Sequence, residues 1–238
     1  MTPDPHATPD GAVAGSYRDP TGYVFWRQGR LFRSVDAEGL AVLDGLWASG
    51  LLPRLIDRGL IVGTHKVDEP EMLGALRAEH AGHAGFLEHQ VLPTITYPYE
   101  WTVSMLADAG THTLDLQIQL LDAGCALKDA TAYNIQFAQS RPIFIDLTSI
   151  ERPQRLDLWF ALGQFMQMFL YPLLLTRYRG WDLRSYFRPS IGGRSIEEVA
   201  RSFGWLGRLR PALLLDLTLP LWLHRWAEKG QRAKRDVL

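Results

Sequence analysis

Three polar residues stand in an order that chemistry can use. Asp129 precedes Asn134, the only asparagine in the chain, by five positions; the apolar run Ile135–Phe137 follows, and the stretch Arg141–Ile145 ends on a second acid, Asp146. A carboxylate can orient or deprotonate an attacking hydroxyl, while an amide oxygen and a second carboxylate can hold magnesium against phosphate. Phosphoryl transfer from ATP needs those parts. Lys128, beside Asp129, either steadies the terminal phosphate or is a surface lysine at a helix exit. The hydroxyls of Thr131 and Tyr133 either touch substrate or satisfy nearby backbone groups.

The surrounding elements have to deliver these residues. Tyr23–Arg27 and Arg30–Val35 are aromatic and β-branched runs joined at Gln28-Gly29, which predicts a hairpin. Asp36 is placed to cap a helix whose face carries Leu40, Leu43, Leu46 and Trp47. Leu60–Val62 and Val91–Tyr97 read as strands, with an Ala-, Glu- and His-rich helix between them. From Thr102 to Gly124, Val103, Leu106, Leu114, Ile118 and Leu121 recur at helical spacing, and this helix leads into the Lys128–Asn134 loop. Further helices are expected over roughly 156–177 and 195–203.

The Asp129, Asn134 and Asp146 segment resembles the protein-kinase-like superfamily, in which an Asp-x-x-x-x-Asn loop is followed about a dozen residues later by a metal-binding Asp. The aminoglycoside and choline phosphotransferase branch is the nearer shape. Residues 16–175 also resemble an uncharacterised bacterial domain that precedes a methyltransferase in longer proteins. The first resemblance implies an α+β, two-lobed fold: a flexible tail over 1–14, a small antiparallel-sheet lobe over 15–97 and a helical lobe over 98–238. It implies ATP and magnesium as cofactors, Asp129 as base with Lys128 beside it, and Asn134 and Asp146 as metal ligands. Ser16, Arg18 and Thr21 fall where a phosphate-covering loop belongs, although the run lacks the usual glycine pattern and also reads as an ordinary turn. Tyr97 and Tyr99 flank Pro98 at the hinge, where backbone groups would meet an adenine.

The strand lysine of that superfamily is missing. Arg33 occupies the expected strand position, Lys66 is the other candidate, and Glu38 or Asp44 would pair with Arg33. Asp129 and Asp146 are expected to face a solvated cleft and to tolerate substitution. A small hydroxylated acceptor suits a chain without a recognisable protein-substrate activation segment. The contrasting reading is a pseudoenzyme, binding nucleotide or acting as a scaffold that positions a partner such as a methyltransferase.

Composition sets outer limits. At 238 residues with 47% hydrophobic content there is ample material for a core. The net charge of -1 gives no whole-chain case for nucleic acid. A lone cysteine, Cys125, suits a reducing, cytoplasmic setting, and 1–14 lack the apolar core of a signal peptide. The apolar run 211–223 is interrupted by Asp216 and Pro220, too short to span a bilayer, and reads as a packing or protein-partner helix. The basic residues after it, Arg225 to Arg235, read as a solvated end, with a lipid or phosphate patch as the other choice. His80 and His83 share a helical face as a zinc alternative, against an exposed polar helix.

Overall fold

The structure, a computed structural model, describes residues 11–12 and 22–223. It is a mixed α+β chain that divides by contact into two compact units: the residues up to Tyr97 together with Asp108–Leu162, and Pro98–Ala107 together with the chain from Gly163 onward. The division groups Asp108–Leu162, expected in the helical lobe, with the sheet.

In the first unit, β2 (Val24–Arg27) and β3 (Arg30–Val35) form the expected hairpin. Gln28 and Gly29 turn it with positive φ at both positions, 51° and 73°, the geometry whose twist matches that of paired strands. Gly22, just before β2, cannot be replaced without displacement, since a Cβ there would lie 1.8 Å from the Ser34 carbonyl oxygen. Asp36 caps α1 (Ala37–Ala48) by accepting from Gly39 N at 2.7 Å, and Val42, Leu43 and Leu46 bury its inner face.

Downstream, the sequence expectations shift. Leu60–Val62 is not a strand: Ile61 makes an isolated parallel bridge to Phe144, and the strand is β4, Thr64–Lys66. The Ala- and Glu-rich helix is α3, Pro70–Glu79, but its His-rich end turns into β5, Gly85–His89, which lies between β3 and β4. Gly11–Ala12, inside the expected tail, pairs as β1 with β2, so the antiparallel sheet runs β1-β2-β3-β5-β4. Phe25, Phe32, Val67, Leu76 and Phe86 form the buried cluster between sheet and α3.

Val91–Tyr97 forms no strand and bends at Pro93. Pro93 lacks a donor for a ladder, and the segment is tied instead by the buried Gln136 side chain. Its oxygen accepts from Thr96 N at 2.8 Å, and its amide donates to Thr96 O at 3.0 Å.

Helix α4 (Val103–Leu121) turns a different face inward from the one expected. Leu106 is buried, but Val103, Leu114, Ile118 and Leu121 are exposed, and Ala109, His112, Thr113, Leu116, Gln117 and Leu120 are buried. Polar residues are tolerated there because each finds a backbone partner. His112 Nε2 meets Leu60 O at 2.8 Å, Thr113 donates to Ala109 O at 2.9 Å, and Gln117 Oε1 accepts from Leu127 N at 2.8 Å.

Short pairs follow: β6 (Ala126–Leu127) with β9 (Ile150–Glu151), and β7 (Ile135–Ala138) with β8 (Arg141–Phe144). The second unit is helical. Residues 156–161 are not part of a helix; α5 (Leu162–Phe165) passes through a π turn, Met166–Leu170, into α6 (Tyr171–Arg179). Pro172 has no N–H to continue the α ladder, which accounts for the wider turn before it. There follow α7 (Leu183–Phe187) and α8 (Ile196–Gly207), the latter opened by a reciprocal Ser195 and Glu198 capping box. No single described helix is long and apolar enough to cross a membrane; α1 with α2 (Leu51–Asp57) passes on length and composition only as a pair bent by 78°.

Candidate functional site

The β7-β8 hairpin is carried to its place by backbone. Val62 N donates to Phe144 O at 2.9 Å, Phe144 N donates to Leu60 O at 3.0 Å, and Asp146 follows two residues later. The loop before the hairpin is pinned at Leu127, whose N–H is held by Gln117 and whose carbonyl accepts from Trp159 Nε1 at 2.8 Å. Lys128 N then donates to Ser149 O at 2.8 Å, and Ile145 N to Asn134 O at 2.9 Å, so the loop and the segment after β8 are laced together.

Arg33 enters this lacing from the centre of the sheet. Its Nη1 lies 2.8 Å from Asp146 Oδ1 and donates to Thr148 Oγ1 at 2.6 Å, while Thr148 in turn donates to Asp146 Oδ1 at 2.7 Å. Ser149 Oγ donates to Asp146 Oδ2, and Asn134 Nδ2 donates to Ser149 Oγ at 3.2 Å. The order is Arg33, Asp146, Ser149, Asn134. Burial alone would raise the Asp146 pKa; the Arg33 charge, with donation from Ser149 and Thr148 and the charge of Lys128, outweighs it and holds the carboxyl below its ordinary range. Arg33 is 8% exposed, and its Nε is buried with no hydrogen-bond partner. That leaves the Nε–H unspent.

His89 is a buried neighbour that sequence reading left aside except as part of the histidine group. The single proton of Thr64 Oγ1 is committed to Val62 O at 2.9 Å, so His89 Nδ1, 2.8 Å from the same oxygen, must be the donor, and its Nε2 carries a lone pair. Burial lowers its pKa from 6.5 to about 3, and the Arg33 charge lowers it further than Asp146 restores it. The folded imidazole refuses a proton that the unfolded chain accepts below 6.5. Stability should therefore fall as pH drops from about 6.5 toward 3, with a slope of about 1.4 kcal/mol per unit. Urea unfolding between neutral pH and about pH 4.5 reads this slope, and His89→Asn, which keeps a donor for Thr64, is expected to remove it. An unchanged slope in the variant would assign the acid sensitivity elsewhere.

The remaining candidates are placed as follows. Asp129 is half-buried and Lys128 exposed at the loop. Thr131 accepts from Tyr133 N at 3.3 Å, a local backbone duty. Lys66 is exposed and pairs with Asp44 at 2.9 Å, so Asp44 does not serve Arg33, and Glu38 is exposed on α1. Tyr97 is exposed at the end of the first unit, and Tyr99 lies in the 3-10 turn Pro98–Glu100 of the second. Ser16, Arg18 and Thr21 lie outside the described residues, as does the basic stretch from Arg225. Among the described residues no three His, Cys, Asp or Glu side chains gather as a metal site. His80 instead packs its ring on Phe25 at 4.1 Å and hydrogen-bonds the Tyr23 hydroxyl, and His83 lies edge-on to Tyr23. Thr148 and Ser149 were missed by sequence reading; the signal was two hydroxyls directly after Asp146-Leu147.

The site therefore belongs to a mixed α+β chain in which a sheet arginine is ion-paired to the acid after a hairpin. No protein-family model matches the chain. Over 214 residues, 90% of its length, it is 40% identical to Nodulation protein NoeA of Rhizobium meliloti (strain 1021). The match covers 44% of that protein, so the chain spans less than half the length of this curated relative.

Proposed function

We propose that the chain is a phosphotransferase of two-lobed, kinase-like organisation that uses ATP and magnesium to phosphorylate a small hydroxylated molecule. The observation that carries this reading is the Arg33–Asp146 pair: the ionised carboxylate is linked through Ser149 to Asn134, while the buried Arg33 Nε–H is left for another acceptor. The Asp146 carboxylate and the Asn134 amide oxygen are hard donors of the kind magnesium takes, and a guanidinium fork suits phosphate oxygens. Bound magnesium would supply charge neutralisation along the phosphates. Arg33 binds and orients the phosphates, with Lys128 beside the terminal one. Asp129 takes the acceptor hydroxyl proton as the new O–P bond forms and the bond to the departing ADP breaks.

A second reading has its own observation. Both Asp146 oxygens are already engaged by protein donors, Arg33 and Thr148 on one and Ser149 on the other, so the guanidinium supplies the positive charge that a metal would bring. This favours a pseudoenzyme that scaffolds a partner such as a methyltransferase on another chain. Two substitutions discriminate between the candidates for the missing strand lysine's role. Arg33→Ala is expected to weaken ATP binding roughly tenfold to a hundredfold, the effect of losing a charged phosphate contact of about 1.5–3 kcal/mol. Lys66→Ala should leave binding unchanged. Arg33→Lys, which keeps a charge beside Asp146, serves as the control against loss of fold. Equal effects of Arg33→Ala and Lys66→Ala in calorimetry, or no effect of either, would remove Arg33 from the site.

A further inference from the structure

The chain after Arg210 is helical to residue 223, through Pro211–Leu213 and a π turn, Leu214–Thr218. Leu213, Leu217 and Leu221, one helical turn apart, are fully or almost fully buried and fix its inner side. The outer side is also apolar. Leu215 is 71% exposed, Trp222 61%, Leu223 49% and Leu219 46%. Gly204, with φ 61°, breaks α8 and turns the chain so that Trp205, 70% exposed, and Leu209 also face outward. Thr218 Oγ1 donates to Arg208 O at 2.8 Å and ties the two stretches together. A folded chain rarely leaves so many large apolar side chains outside without a partner surface.

Charge chooses the partner. Residues 201–238 hold eight Lys or Arg against three Asp or Glu, within a chain whose net charge is -1, so the positive charge is segregated at this end and the rest is acidic. The one acid of the 211–223 helix, Asp216, is half-buried, and its charge acts on the buried Tyr171 phenol, whose pKa is pushed up to about 12 by burial first and by Glu197 and Asp216 in addition. Arg201 and Arg210 are exposed, the latter with its guanidinium 5.3 Å from the Tyr178 ring centroid. Outward tryptophan and leucine with flanking basic residues, on a helix too short to span, is the composition of a segment that lies in the headgroup layer.

We propose that residues 201–223 dock this chain onto an anionic bilayer surface, with Trp205, Leu215, Leu219 and Trp222 entering the headgroup boundary and the exposed Arg201 and Arg210 meeting lipid phosphates. The test is co-flotation of the full chain with vesicles of phosphatidylglycerol and phosphatidylcholine in equal parts, against phosphatidylcholine alone. Binding to the anionic vesicles is expected, weakening as salt is raised. The triple variant Trp205→Ser, Leu215→Ser, Trp222→Ser should bind about tenfold or more weakly while keeping its circular dichroism spectrum, because the altered side chains lie mostly outside the core. As a check independent of variant folding, brominated acyl chains should quench tryptophan emission of the wild-type chain. Absence of flotation with anionic vesicles, equal binding to neutral ones, absence of quenching, or a folded triple variant that binds as wild type would overturn the proposal. So would a dimer of the full chain that the triple substitution dissolves, since a second copy would then occupy the face.

Discussion

Asp146→Ala is expected to destabilise the chain by about 3–5 kcal/mol, because it removes one partner of a buried ion pair and leaves the other charge stranded. Arg33 and Asp146 have side-chain exposures of 10% and 18%, and no other acid is in an ion pair with Arg33 among the described residues. Thr148 and Ser149 lose their acceptor at the same time. Urea unfolding at neutral pH measures the loss, and the double change Asp146→Leu with Arg33→Met should recover much of it, since an apolar pair strands no charge. The pH dependence carries the same sign: a carboxyl held below its ordinary range contributes stability above that range and loses it as pH falls through the lower folded value. This loss begins near the ordinary carboxyl value of 3.8, at the acid end of the His89 window, so the same acid series on His89→Asn isolates it. A loss of less than about 1 kcal/mol for Asp146→Ala would mean that the pair behaves as an exposed one.

Asp129→Asn should act on chemistry alone. Asparagine keeps the size of the side chain and its place at the loop but cannot take a proton, so ATP should bind as before while phosphate transfer falls on the order of a hundredfold. The measurement pairs nucleotide calorimetry with transfer to a panel of hydroxylated small molecules. If Asp129→Asn abolished nucleotide binding, the residue would belong to the nucleotide site and not to the acceptor side. Unchanged transfer would remove it as a base.

The contrast between Asp146 and the sequence expectation shows where reading stops. Asp146, expected at a solvated cleft and tolerant of change, is enclosed because Thr148 and Ser149 fold back onto it and Arg33 reaches it across 113 positions of sequence; nothing local announces such a pair. The hairpin around Gln28-Gly29 was legible because alternation and turn chemistry agree. The strand Gly85–His89 was not, since Glu88 and His89 interrupt the apolar pattern, yet Glu88 pairs with Arg30 and His89 is satisfied by Thr64. The inner face of α4 was misread for a related reason: His112, Thr113 and Gln117 look solvent-facing until their backbone partners are known, and Ile118 looks like core at 59% exposure. Polar residues with tertiary partners defeat period counting in both places. The three residues of the catalytic reading were legible as an ordered set. The pairing of Arg33 over Lys66 with Asp146 needed the fold.

The most direct test of the central claim is calorimetric titration of the wild-type chain with ATP, with and without magnesium. The account predicts binding that strengthens when magnesium is present, because Asp146 and Asn134 supply oxygen donors and Arg33 keeps a free Nε–H for phosphate. Heat that is identical with and without the metal would leave only a metal-independent nucleotide scaffold. No binding under either condition would contradict the phosphotransferase reading altogether.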